Sequence, residues 1–326
     1  MLIRRNRGWE LRESAATPED VFRRRRALLK TMGLGSLLLP GLSAFVGAHA
    51  AEEAADGADP SAKLYPFKRD PKYTLDRPIT DPKYSENYNN FYEFGSEKTI
   101  ADEAQALKIR PWTVKIDGLV EKPFEIGIDD LLQKMPLEER LYRHRCVEAW
   151  SMAVPWSGFA MAALVALAKP LGGAKYVRME TFLNADEASG QKQFWYPWPY
   201  VEGVTLAEAS NELAFMVTGM YGKPVPKQDG APLRLALPWK YGFKSVKSIV
   251  RVSFTDKRPV TFWQTVQGDE YGFWANVNPE VPHPRWSQAS ERVIGTDTRV
   301  PTLKWNGYGD FVAHLYDGVQ GENLFI

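Results

Sequence analysis

Tyr142-Arg143-His144-Arg145-Cys146-Val147-Glu148-Ala149-Trp150-Ser151-Met152-Ala153-Val154-Pro155-Trp156 carries the one cysteine of a 326-residue chain. Two arginines flank the approach to the thiol, a carboxylate follows two residues later, and two tryptophans close the stretch. Fixed positive charge lowers a thiol's pKa, and the thiolate is the form that attacks electrophiles and binds soft metals. Most lone cysteines are small buried hydrophobes, and on the thiol alone that reading leads; the rest of the chain decides. Residues 137–142 read as a strand. Cys146 then falls at a strand end or in the loop after it, a frequent place for chemistry.

Working outward, residues 112–118 alternate and end at an Asp-Gly turn, which predicts a strand leading into a hairpin. Residues 128–135 predict a short helix capped by Asp129 and stopped by Pro136. Residues 157–168 predict a buried, alanine-rich helix ended by Lys169-Pro170. Strands are expected over 176–182, 213–217, 233–237 and 248–254. An aromatic and proline loop is expected over 193–200, and Thr205-Leu206-Ala207-Glu208 forms a capping box that opens a short helix. The last seventy or so residues show no clear helix. Residues 84–95 are dense in aromatics and amides, which suits either the lining of a polar cleft or a surface loop pinned by its rings. The pattern is α+β with strands dominant, one main domain over 83–326 and no Rossmann spacing.

Composition narrows the function. The chain is 44% hydrophobic with 11 tryptophans, enough for a sizeable core and for aromatic clefts. A net charge of +1 gives no argument for nucleic acid. Zinc, serine-hydrolase and nucleotide-triphosphate motifs lack their residues. Residues 1–50 run from Arg23-Arg24-Arg25-Arg26 through an apolar stretch to Ala48-His49-Ala50, the order of a secretory leader. Arg25-Arg26 with Leu28-Leu29-Lys30 fits the twin-arginine pattern, a route for proteins exported folded around a cofactor. The leader holds nine Lys/Arg and four Asp/Glu, so its removal takes the formal charge from +1 to −4. Residues 51–82 read as an extended arm, partly ordered at best.

Two further constellations carry chemistry. Pro238-Trp239-Lys240-Tyr241-Gly242-Phe243-Lys244-Ser245-Val246-Lys247 follows Arg234 and offers four cations around a glycine turn, a setting for a phosphate or a polar heterocycle edge. Asn276-Val277-Asn278-Pro279-Glu280-Val281-Pro282-His283-Pro284-Arg285-Trp286-Ser287-Gln288-Ala289 holds a histidine that reads first as structural, hydrogen-bonded to backbone.

Four blocks together are specific: Tyr88-Asn89-Asn90-Phe91-Tyr92-Glu93-Phe94-Gly95, Arg145-Cys146-Val147-Glu148-Ala149-Trp150-Ser151-Met152, Pro238-Trp239-Lys240-Tyr241-Gly242-Phe243-Lys244 and His283-Pro284-Arg285-Trp286-Ser287-Gln288-Ala289. In this order they resemble the catalytic subunits of bacterial periplasmic protein-methionine-sulfoxide reductases, molybdopterin enzymes with the sulfite-oxidase fold. The resemblance implies a Mo-molybdopterin cofactor with the Cys146 thiolate as metal ligand. It places Asn89, Tyr92, Glu93 and Thr181 against the cofactor, with Arg234 and the Ser245-Val246-Lys247 segment at the pterin phosphate. Asp229 stands where the family usually has asparagine, and is expected to face the pterin N–H groups. Glu148, beside the metal, is expected to disfavour an anion such as sulfite; Glu148 and His283 are the candidates for delivering protons. The implied reaction reduces methionine sulfoxide in oxidised periplasmic proteins, with a haem-bearing membrane subunit as electron donor and a monomeric catalytic subunit. A reductase or oxidase of small S- or N-oxides or sulfite is the neighbouring reading, and an exported aromatic-rich binding module is the reading from another class.

Overall fold

The computed structural model describes residues 59–296 and 298–326, and the following holds for them. In chain order the strands are β1 (Thr113–Gly118), β2 (Phe124–Gly127), β3 (Glu138–Cys146), β4 (Trp150–Ala160), β5 (Tyr176–Thr181), β6 (Val201–Thr205), β7 (Phe215–Met220), β8 (Lys223–Pro224), β9 (Arg234–Ala236), β10 (Ile249–Thr255), β11 (Ser290–Val293) and β12 (Arg299–Pro301). Helices are few and short, so the strand-dominated α+β expectation holds. The expected leader over 1–50 lies outside the described residues, as does the start of the arm.

One sheet has the order β2-β1-β10-β5-β6. Its β1 alternates exposed and buried side chains, as a half-buried strand should, and Val114 and Ile116 enter the core. Gly118 ends β1 at φ +82°, and a Cβ there would lie 2.1 Å from the Phe254 carbonyl oxygen. Gly118→Ala is therefore expected to cost about 2–3 kcal/mol of stability, read as a lower denaturant midpoint; an unchanged midpoint would contradict this account of the turn.

The second sheet is built on β4. All but the last of its eleven residues are buried. β3 pairs along one edge, with Cys146 opposite Trp150. β11 and β7 share the other edge, one at each end of β4. Such a strand, buried on both faces, shows no alternation. For that reason the expected helix over 157–168 is too long: residues 157–160 finish β4, and the helix is Met161–Ala168. Its C-cap, Lys169, is left-handed and precedes Pro170.

Other expectations are corrected in detail. The helix Ile128–Lys134 has Gly127 at its N-cap, not Asp129, which sits in the first turn and accepts from Arg110. The chain after residue 256 does contain a helix, Phe262–Gln267, opened by a Thr261/Gln264 capping box. Residues 59–82 are more ordered than their composition suggests. Backbone bonds join Lys68 and Asp70 to Glu139, and the Tyr65 hydroxyl donates to Thr218. Paired backbone and anchored rings offset the ordering cost that composition alone leaves uncompensated.

Candidate functional site

β3 and β4 are joined by Val147-Glu148-Ala149. The Ala149 N–H donates to the Cys146 carbonyl at 3.1 Å, and Ala149 takes φ +59°. This is a three-residue hairpin loop closed by a left-handed residue, and it fixes Cys146 at the strand end. Alternation along β3 puts Tyr142, His144 and Cys146 on one face and Arg143 and Arg145 on the other. Arg145 is fully buried and pairs with Glu291 at 2.8 Å; Arg143 pairs with Asp76. The expectation that these arginines depress the thiol's pKa is therefore overturned. Burial pushes the Cys146 thiol up to about 12, the Glu148 carboxylate adds to the rise, and Arg145 opposes it only weakly. The thiol must shed that proton to serve as a ligand.

Cys146 looks into a cavity of about 1000 Å³, counting its open mouth. Asn89, Tyr92, Glu93, Cys146, Glu148, Asp229, Arg234, Ser245, Val246 and Lys247 all line it. Thr181 does not. It sits behind the wall, its hydroxyl donating to the Lys247 and Ser248 carbonyls. Asn89 donates to Asp229 Oδ1 at 2.7 Å. Asn89 Oδ1 and Asp229 Oδ2 are buried with no hydrogen-bond partner. Burial raises the Asp229 carboxyl to about 6 against the pull of Lys247 and Arg234, and raises Glu93 to about 7.

The four expected cations divide into two pairs. Lys240 and Lys244 are fully buried and neutralised by Glu208 at 2.6 Å and Glu202 at 2.5 Å, so they are framework and do not reach the cavity. Arg234 and Lys247 do reach it. Arg234 donates to the Asp229, Leu235 and Ser245 carbonyls, and Lys247 to the Gln228 carbonyl. Among the described residues neither forms an ion pair. Burial pushes Arg234 down to about 10 and Lys247 to about 7. Arg234 is buried and Lys247 half-buried; both act on the Asp229 carboxyl without a direct ion pair, and all three border one cavity.

Sequence reasoning missed three residues at the thiol. Asn90 donates to Cys146 Sγ at 3.6 Å and to Glu148 Oε2 at 3.2 Å. Lys98 pairs with Glu148 at 2.7 Å. His144 lines the cavity, and a Cβ on Gly242 would come within 2.7 Å of its ring. Burial holds His144 neutral, down to about 3, and Arg234 and Lys247 add to the effect. The signal for His144 was present: in a strand it shares a face with Cys146. Glu148 lies beside the thiol at 3.8 Å. Burial raises its pKa, but hydrogen bonds from Lys98, Trp150 and Asn90 outweigh that and hold it below the usual carboxylate range. Lys98 offsets its charge, so repulsion of an anion by Glu148 is weaker than expected.

His283 is where a structural histidine belongs. Its Nδ1 accepts from the Arg285 N–H at 3.2 Å, and its ring stacks on Trp286 at 3.8 Å. It borders a different, small cavity and not the one at Cys146. Its block instead props the thiol loop: Trp286 Nε1 and Gln288 Nε2 both donate to the Val147 carbonyl at 2.7 Å. Among the described residues no group of three or more His, Cys, Asp or Glu gathers as a metal site.

The profile of the family described as oxidoreductase molybdopterin binding domain matches residues 101–263. A solved structure, the sulfane dehydrogenase SoxCD from Paracoccus pantotrophus, aligns at 16% identity with a TM-score of 0.41. The alignment covers 74% of this chain and 60% of that one.

Proposed function

The chain belongs to the oxidoreductase molybdopterin-binding domain family, and from that premise we propose that it reduces methionine sulfoxide residues in oxidised proteins to methionine. Its cofactor is Mo-molybdopterin, and the cavity fits that group. Cys146 offers one soft donor for the metal. Arg234 and Lys247, which border the cavity without a direct ion pair, would hold the phosphate. The orphaned oxygens of Asn89 and Asp229 would accept from the pterin N–H groups, and Glu93 and Tyr92 border the same space.

When bound, the molybdenum centre supplies two-electron oxygen-atom transfer. The chain's residues set what reaches it. A wider vestibule continues outward from the cavity, sharing Tyr88, Tyr92, Glu148, Trp150, Trp263 and Tyr271 with it and adding Tyr196 and Trp286. Aromatic walls favour sulfur-bearing side chains. Lys98 and Arg285 there are each paired with a carboxylate, and Arg292 and Arg299 line the same space. Reducing a sulfoxide to a thioether and water takes two electrons and two protons. Glu148 is held ionised by Lys98 beside the thiol, so it would serve as a relay taking each proton from solvent and handing it on, not as a standing acid. Asn90 fixes the thiolate side of the site.

The observation that carries the reading is this open aromatic vestibule leading to a cavity lined by the Cys146 thiol, Arg234 and Lys247. The reading includes export by the twin-arginine route, electrons from a haem-bearing membrane subunit and a monomeric catalytic chain. With reduced dye as donor, the holoenzyme is expected to turn over methionine sulfoxide in a peptide at a kcat/KM at least about tenfold above that for sulfite oxidation or dimethyl sulfoxide reduction. The reverse ranking would move the assignment to a small-oxide reductase or sulfite-type oxidase.

A further inference from the structure

Residues 193–200 carry two large side chains that the cavity does not use. Phe194 is 90% exposed and Trp195 62% exposed. Two adjoining exposed rings form a contiguous apolar patch, the kind of feature an interaction site uses. The two rings contact each other edge to face at 5.2 Å. They are held on a fixed base. The Gln193 N–H donates to Gly190, and Trp198 Nε1 returns to the Gln193 carbonyl. Gly190 in turn donates to the Glu93 carbonyl, and a Cβ on it would meet the Tyr92 carbonyl oxygen at 2.1 Å. The loop is thus seated on the segment that lines the cavity.

The platform is continuous with the vestibule. Trp195 contacts Tyr196 at 6.2 Å, and Tyr196 contacts Tyr92 at 5.9 Å and Trp263 at 6.4 Å. Tyr92, Tyr196 and Trp263 all wall the vestibule. We propose that Phe194 and Trp195 form a docking platform for an apolar side chain of an extended polypeptide whose sulfoxide enters the vestibule. This rests on the reading of the enzyme as a protein-sulfoxide reductase and adds a subsite to it.

The occupant follows from size, charge and position. Two aromatic side chains offer roughly 300–500 Å², below the ~800 Å² per partner that a stable dimer needs, so a second copy is a poor fit. A membrane surface calls for several basic residues beside the rings, and residues 191–200 hold one, Lys192. On the Tyr196 side, a chain whose side chain lies in the vestibule meets this rim. The steps from Tyr92 through Tyr196 and Trp195 to Phe194, 5.9, 6.2 and 5.2 Å between rings, span at most about five extended residues. The preferred substrate therefore has an apolar residue within about five positions of the sulfoxide.

The test uses the molybdenum-loaded enzyme carrying Phe194→Ser and Trp195→Ser, both exposed positions, with a reduced viologen dye as donor. For a methionine-sulfoxide peptide with leucine at the third and fourth positions, KM is expected to rise about tenfold. Turnover of free methionine sulfoxide, and of the same peptide with serine in place of leucine, should not change. An unchanged KM for the leucine peptide, or an equal loss on free methionine sulfoxide, overturns the platform. So does a loss seen only when a haem protein donates the electrons, because the surface would then belong to the donor. If the unsubstituted enzyme reduces no sulfoxide at all, the functional reading falls. Tryptophan-fluorescence titration with the unoxidised leucine peptide then decides the surface alone: binding lost in the variant supports it, and equal binding overturns it.

Discussion

Replacing Cys146 by serine is expected to abolish turnover while leaving the fold in place. Partners that merely orient a metal ligand are worth 10–100-fold, so loss of the ligand itself is expected to cost at least about 10³-fold, near 4 kcal/mol in the barrier. Serine is close in size, and Sγ gives up only weak contacts, 3.5 Å from the Glu148 N–H and 3.6 Å from Asn90. Thermal unfolding of the cofactor-free proteins should therefore agree within about one or two degrees. Measuring kcat with reduced dye beside the melting curve separates the two effects. A variant that keeps a tenth of the native rate would remove Cys146 from the centre of the account.

The second large effect concerns stability, away from the thiol. Lys244 and Glu202 are both fully buried and 2.5 Å apart, and Lys244 also donates to the Gly203 carbonyl. Burial pushes the Glu202 carboxyl up while Lys244 pulls it back. Glu202→Ala leaves a buried ammonium without its counter-charge, and breaking such a pair costs about 3–5 kcal/mol. A fall in melting temperature of about 10 °C is expected for a domain of this size. Replacing both partners together, Glu202→Leu with Lys244→Met, should recover most of that loss, because no charge is left buried. A single substitution that moves the midpoint by less than a degree would show that the pair is not buried as described. If the double variant were as unstable as the single one, packing and not charge would be responsible.

How much of this was legible in the sequence depended on whether a local rule governed the residue. The Thr205-Leu206-Ala207-Glu208 capping box forms as read, because capping is decided within four residues. The strand before Cys146 was legible over residues 137–142, which left the thiol at its end or in the loop after; β3 runs on to Cys146 itself. The end of β4 was not legible: Ser157-Gly158-Phe159-Ala160 runs straight into the alanine-rich helix, and a strand buried on both faces carries no period to set it apart from one. The charge environment of the thiol was misread because Arg143 and Arg145 were treated as neighbours in space, whereas strand alternation sends them to the opposite face. The same alternation, applied forward, would have brought His144 into the site. Lys98 reaches Glu148 across 50 residues of chain and Asn90 reaches Cys146 across 56, and no local pattern ties them to the site. Lys240 and Lys244 looked like anion-binding cations because their counter-charges, Glu208 and Glu202, lie more than thirty residues earlier.

The central claim is that Cys146, Arg234 and Lys247 hold a molybdenum cofactor, and elemental mass spectrometry of the correctly folded protein tests it most directly. The account predicts about one molybdenum per chain in protein made by cells able to assemble the cofactor, and a large loss of that metal when Arg234 and Lys247 are both replaced by alanine. Folded native protein from the same cells with no molybdenum would contradict it.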